Sequence, residues 1–219
     1  MIISFYYIIL MNKIYNIIEN LKVIPVASIE NLDFALELGK VLNNSNLPIV
    51  EITFRTEIAK DIIFNLTKEY PNLLVGAGTV LNIKQVKKAV NNGAKFIVTP
   101  GFNSKLVDYC IDNNIFIIPG INTPTFIEWG LERKLKVLKF FPAEVSGGIS
   151  FLEAISGPYP SEKVKFIPTG GINNINFINY LKMDNVLACA GSWLVKGSSL
   201  QAIESRIKET YSLIKAQIK

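Results

Sequence analysis

The sequence predicts a single α/β domain, a TIM (β/α)8 barrel, on three observations. Short β-branched or aromatic runs alternate with helical stretches eight times. The starts of those runs recur every roughly 21 to 28 residues, the length of one βα unit. No low-complexity linker divides the 219 residues, a length that suits one barrel. A doubly wound open sheet ranks second. In either architecture a ligand belongs at the carboxyl ends of the strands.

The chain opens on an apolar stretch, 1–10 (MIISFYYIIL), too short to span a bilayer and without a basic leader or small-residue cleavage site. Either Met11 is the natural start of the barrel domain, 11–219, or the extension packs beside the helix that follows. A membrane anchor is the lesser reading. In that helix Ile14, Ile17, Ile18 and Leu21 share one face. Strands are expected at 23–28, 48–54, 73–79, 95–101, 116–121, 137–143, 165–171 and 186–194. Asn82 and Asn103 read as helix N-caps, and Thr123-Pro124 as a cap with a first-turn proline. A last helix, 199–218, carries the apolar stripe Ile203, Ile207, Tyr211 and Ile214.

Composition excludes several function classes. Hydrophobic residues make up 49% of the chain, which rules out disorder. The formal charge of +5 comes from scattered Lys and Arg without the dense basic runs of a nucleic-acid binder. With no histidine, a Ser-His-Asp or Cys-His nucleophile system cannot be built, nor a zinc site resting on imidazole. Two cysteines far apart, Cys110 and Cys189, supply no Cys-rich metal site and suit buried thiols in a reducing cytoplasm. Acid–base work falls to Glu, Asp, Lys or Tyr, with no metal or cofactor called for.

Lys139 stands out within Val137–Ala143, a β-prone run where a cation is out of place. A buried lysine is costly unless paired or neutral, and an amine kept partly unprotonated is what imine formation with a carbonyl needs. The bland reading is an edge-strand lysine with its head in water. Period two puts Val137, Lys139 and Phe141 on one face of this strand and Leu138 and Phe140 on the other.

The second strand carries Glu51, Thr53 and Arg55 on one face and Val50, Ile52 and Phe54 on the other. Turned toward the lumen or its mouth, the first set supports proton transfer by Glu51 and a bidentate Arg55 grip on a carboxylate. The alternative is an internal Glu51–Arg55 ion pair that specifies packing. If Glu51 approaches Lys139, its charge favours the ammonium and opposes the effect of burial. The third strand ends Gly76-Ala77-Gly78-Thr79, small residues that admit a close ligand, with a hydroxyl at the strand terminus. The Pro100-Gly101 and Pro119-Gly120 pairs read as turn punctuation. The last two strands end at Thr169-Gly170-Gly171 and Gly191-Ser192, where barrels often hold phosphate.

The motifs VEITFRT (50–56), VGAGTVLN (75–82), TPG (99–101), KFFPAE (139–144), PTGGI (168–172) and AGSWLV (190–195) resemble, as a set, those of the class I aldolases that cleave 2-keto-3-deoxy-6-phosphogluconate, the KDPG aldolases. The likeness runs from about Val23 to Val195. It implies cleavage of that sugar acid to pyruvate and glyceraldehyde 3-phosphate through a Schiff base on Lys139, with Glu51 as general acid/base. Arg55 and Thr79 match carboxylate-binding positions. Gly170, Gly171 and Ser192 match the phosphate site, and Pro100 and Thr169 line the family pocket. Threonine at 169 favours the gluconate over the galactonate epimer, since a hydroxyl can discriminate the C4 configuration. Family members often also act on 4-hydroxy-2-oxoglutarate and form homotrimers. Two other classes compete: a non-covalent phosphate-binding barrel isomerase or synthase, and a non-catalytic phosphosugar-binding barrel. The apolar leader and the segment Val145–Gly148 depart from the family pattern.

Overall fold

A computed structural model of the chain describes residues 5–197 and 199–218. Its elements run α1 (Phe5–Leu21), β1 (Val23–Ala27), α2 (Leu32–Asn44), β2 (Ile49–Thr53), α3 (Ala59–Glu69), β3 (Leu74–Gly78), α4 (Ile83–Asn91), β4 (Phe96–Val98) and α5 (Ser104–Asp112). They continue β5 (Ile117–Ile118), β6 (Gly120–Ile121), α6 (Pro124–Glu132), β7 (Val137–Phe140), α7 (Gly148–Ile155), β8 (Lys165–Pro168), α8 (Phe177–Leu181), β9 (Cys189–Gly191) and α9 (Leu200–Gln217). Single 3-10 turns lie at Glu144–Ser146 and Ser192–Val195.

All pairings are parallel, the result of helical crossovers between successive strands. The fold is α/β, a curled parallel sheet under helices. Hydrogen bonding divides the strands into a six-stranded group, β5-β4-β3-β2-β1-β9, and a three-stranded group, β6-β7-β8. The expected continuous eight-stranded ladder is therefore interrupted. One interruption has a local cause. The expected strand 116–121 is split into β5 and β6 at Pro119, which has no N–H for the ladder, although its carbonyl still accepts from Lys139 N at 2.9 Å. On the other side, isolated bridges Phe166↔Val186 and Thr169↔Ala190 join β8 to the last strand region. The expected strand 186–194 shortens to β9, because Ser192–Val195 turns into a 3-10 helix. The strands expected to reach Ala143 and Gly171 end at Phe140 and Pro168.

Nearly every strand residue is buried, as a sheet covered by helices requires. Helix starts follow side-chain chemistry. Asn82 and Asn103 cap α4 and α5 as expected, accepting from Gln85 N at 2.9 Å and Leu106 N at 3.2 Å. Asn31 does the same for α2, accepting from Phe34 N at 2.8 Å. Thr123 occupies the cap position of α6 without a side-chain bond, and Pro124 at the first turn has no N–H to satisfy. In α1, Ile14 and Ile18 are buried while Ile17 and Leu21 are half-buried. This helix runs unbroken through Met11 from Phe5, so residues 5–10 extend it rather than pack beside it. Residues 1–4 lie outside the described residues. No helix among the described residues is long and apolar enough to cross a membrane. In α9 the stripe is Ile203, Ile207, Thr210 and Ile214. Thr210 replaces the expected Tyr211 because two successive steps of four overshoot the helical period. Tyr211 lies at the edge, its hydroxyl donating to Asn46 O at 2.9 Å.

Candidate active site

Parallel strands present all their carboxyl ends at one end of the sheet, and the expected site residues lie in the strands or on the turns that follow them. Glu51 lies within β2, in register with Val26 of β1 and Gly76 of β3. Lys139 lies within β7, between Gly120 of β6 and Ile167 of β8. The two strands share no ladder, yet Lys139 Nζ is 3.7 Å from Glu51 Oε1. Both side chains therefore point into the interior, as the alternation along each strand predicts. Exposure is 6% for Lys139 and 2% for Glu51, so the ammonium is not on the outer surface. The Lys139 Nζ also stands 5.1 Å from the centre of the Phe141 ring, a cation–π distance that keeps the cation beside an apolar wall.

Magnitudes argue against a purely structural pair. Two opposite charges near this separation attract by about 4 kcal/mol at an effective dielectric constant of about 20, whereas burying each ion costs several kcal/mol. The separation also exceeds hydrogen-bond length, and Glu51 Oε1 has no hydrogen-bond partner among the described residues. Thr53 Oγ1, two residues further along the same face, is buried and equally unpartnered. Two orphaned oxygens on one inner strand face mark a place prepared for a polar ligand.

Gly78 explains how Glu51 reaches this position. A Cβ at residue 78 would collide with the Glu51 carboxylate, so the small run at the end of β3 is clearance for the acid. Thr79 follows with φ +56, a left-handed conformation unusual for a β-branched residue. Pro100 follows β4, and its carbonyl would meet any Cβ placed on Gly120. Thr99 Oγ1 ties these turns together, donating to Gly101 O at 2.7 Å and accepting from Gly120 N at 3.4 Å. After β8, Thr169 is buried and its hydroxyl donates to Ile167 O at 3.3 Å. Gly170 and Gly171 take φ +92 and +85, which only glycine adopts freely. Ser192 is exposed at the start of the turn after β9.

Arg55 lies beyond the carboxyl end of β2 and not in the lumen. The strand ends at Thr53, alternation ends with it, and Arg55 stands exposed on the following turn beside a cavity of about 140 Å³ lined also by Glu57, Lys60, Gln85 and Lys88. It forms no ion pair with Glu51, and among the described residues it has no carboxylate partner. Lys139 takes the place beside the acid.

A sequence profile described as KDPG and KHG aldolase matches residues 14–209. The chain belongs to the KDPG and KHG aldolase family. It is 42% identical over 203 residues to the 2-dehydro-3-deoxy-phosphogluconate aldolase of Haemophilus influenzae, covering 90% of this chain and 95% of that one. It is 41% identical over 180 residues to the KHG/KDPG aldolase of Escherichia coli K12, covering 82% and 84%. A solved KDPG aldolase from Legionella pneumophila, with pyruvate captured at low pH as a covalent carbinolamine intermediate, superposes with TM-score 0.83 at 37% identity, covering 89% and 94%.

Two features of this aldolase carry no functional signal in the sequence. E-x-T alternation on a buried strand signals the inward position of Thr53 but no role for it. Glu144, within KFFPAE, has in the structure a partner, Tyr180, that no local pattern announces.

Proposed function

We propose that this protein is a lyase that cleaves 2-keto-3-deoxy-6-phosphogluconate to pyruvate and glyceraldehyde 3-phosphate. The carrying observation is the buried 3.7 Å approach of Lys139 and Glu51 in a chain of this family. The Lys139 amine attacks the C2 ketone and water leaves, giving an iminium that withdraws electrons. Glu51 takes the C4 hydroxyl proton, directly or through a water, as the C3–C4 bond breaks. Glyceraldehyde 3-phosphate departs and an enamine remains. Protonation at C3 and hydrolysis of the imine then release pyruvate and restore the amine.

In this reading Arg55 and Thr79 hold the substrate carboxylate, Gly170, Gly171 and Ser192 receive the phosphate, and Pro100 and Thr169 line the pocket. The exposure of Arg55 requires its side chain to fold back over the carboxyl end of β2 when substrate arrives. The Thr169 hydroxyl favours the gluconate epimer. The name of the Escherichia coli relative supports 4-hydroxy-2-oxoglutarate as a second substrate. The eight βα units are read as one closed barrel domain. The isolated bridges Phe166↔Val186 and Thr169↔Ala190, and a gap of one residue, Pro119, between β5 and β6, support that closure. A homotrimer in the cytoplasm completes the family reading.

Borohydride reduction in the presence of pyruvate, followed by peptide mass analysis, tests the proposal. A stable adduct on Lys139 is expected. An unmodified Lys139, with turnover intact, would overturn the covalent mechanism and favour a non-covalent acid/base pair.

A further inference from the structure

The motif that begins with Lys139 ends in a carboxylate, Glu144, that the proton transfers above do not use. Its surroundings are specific. The backbone before and at this residue is tied to the glycine turn after β8, with Ala143 N–H donating to Thr169 O at 2.8 Å and Glu144 N–H to Gly170 O at 3.1 Å. The side chain crosses over Gly171, where any Cβ would run into Glu144 Cβ and Cγ. Beyond it, Glu144 Oε1 accepts a short hydrogen bond from the hydroxyl of Tyr180 on α8. The Tyr180 ring is fully buried, and burial, helped by the bond to Glu144, pushes its phenol above the ordinary range, so it remains a donor. A Cβ on Gly148 would lie 3.1 Å from the Tyr180 hydroxyl and 3.4 Å from Glu144 Oε1, so glycine at this position leaves room for the bond between them. On the far side of the turn, Asn173 and Asn176 donate to Gly171 O at 3.2 and 3.1 Å.

A carboxylate beside an anion receptor repels the anion unless it is held away and its charge engaged. Tyr180 does both. We propose that Glu144, braced on Tyr180, is a positioning residue that holds the Gly170–Gly171 turn in its phosphate-receiving shape and so sets the preference for a phosphorylated over an unphosphorylated 4-hydroxy-2-keto acid. This rests on the reading above that Gly170 and Gly171 receive the phosphate. Glu144 acts through the turn and touches neither the imine nor the C4 hydroxyl.

The test compares wild type, Glu144→Gln, Glu144→Ala and Tyr180→Phe on 2-keto-3-deoxy-6-phosphogluconate and on 4-hydroxy-2-oxoglutarate, with thermal unfolding and titration by inorganic phosphate alongside. Glu144→Ala and Tyr180→Phe are expected to raise KM for the phosphorylated substrate and weaken phosphate binding about tenfold, with kcat and the unphosphorylated reaction changed by less than about twofold. Glu144→Gln keeps an acceptor for the Tyr180 hydroxyl and stays near wild type. Should Glu144→Ala not fold, Glu144→Asp, one methylene too short to reach Tyr180, carries the same expectation. Equal losses on both substrates, or unchanged phosphate affinity in Glu144→Ala and Tyr180→Phe, would overturn the proposal. A wild-type chain that turns over neither substrate, yet binds phosphate in a Glu144-dependent way, would reject the lyase reading and the substrate preference with it, and keep Glu144 as the residue that shapes the phosphate-receiving turn.

Discussion

Lys139 and Glu51 meet at 3.7 Å from strands that share no ladder, β7 and β2. The contact crosses the interior, so it exists only because the sheet curls far enough to bring opposite strands face to face. Its length leaves Glu51 Oε1 without a hydrogen bond among the described residues, and a buried ion pair of this kind generally recovers less than its two desolvation costs. The proposed chemistry, which needs an amine and an acid in one dry place, accounts for an arrangement this unfavourable for stability.

Replacing Lys139 by methionine removes the proposed nucleophile while keeping most of its volume. Lys139→Met should lose turnover by on the order of 10⁴-fold or more. It also leaves a carboxylate buried without its cation, at a cost of about 3 to 5 kcal/mol. Urea unfolding should find the double variant Lys139→Met, Glu51→Gln more stable than Lys139→Met alone. The reverse order would mean that Glu51 is not electrostatically coupled to Lys139.

Glu51→Gln separates the two halves of the mechanism. Imine formation with pyruvate should persist, seen as borohydride trapping on Lys139. Cleavage of the sugar acid should slow by roughly 10² to 10⁴-fold, the usual contribution of a positioned acid/base. Cleavage at the wild-type rate would remove Glu51 from proton transfer.

Gly78→Ala places a methyl group where the Glu51 carboxylate lies. The acid must move, and overpacking of this kind costs about 1 to 3 kcal/mol. The variant should trap pyruvate on Lys139 yet cleave substrate poorly, as Glu51→Gln does. Gly76→Ala is the control, because its methyl would meet the Phe96 ring and not the acid. It should lower Tm and leave the ratio of trapping to cleavage unchanged. If both variants lose the same functions, Gly78 is a packing residue and not clearance for Glu51.

Stability should fall on the alkaline side because of two thiols. Burial pushes Cys110 from its ordinary 9.0 up to about 12, and burial likewise raises Cys189. Above pH 9.0 the unfolded chain has lost thiol protons that the folded chain retains. The unfolded state then binds fewer protons, so unfolding free energy declines as pH rises through this window. The contribution is fully present below pH 9.0 and is lost for Cys110 as pH passes about 12. Denaturant midpoints measured between pH 8 and about 11 should drop in wild type and drop less in a Cys110→Ala, Cys189→Ala double variant. Equal slopes would show that the thiols are not linked to unfolding.

Much of the site was legible because its information is local. Period-two alternation within Val137–Phe140 and Ile49–Thr53 is enough to send Lys139 and Glu51 to the same side as their strands' other inward residues. The same rule takes Arg55 only as far as the mouth, since alternation holds only while the strand lasts and β2 ends at Thr53. Pro119 was read as turn punctuation, and it does break the ladder, but the chain resumes as β6 because Ile121 still finds Phe140 in register. The Glu144–Tyr180 bond lay beyond reach for a different reason. It joins a turn to a later helix, and nothing in either segment specifies the other.

By itself the sequence determined the order of βα units, the inward parity of the strands that carry Glu51 and Lys139, and an acid–base chemistry left to Glu, Asp, Lys or Tyr by the lack of histidine. Only the tertiary structure decided that Lys139, and not Arg55, faces Glu51, and where each strand ends. The reason is physical. Side-chain direction follows from covalent geometry along a few residues, whereas the meeting of two side chains depends on register and curvature summed over strands remote in the chain.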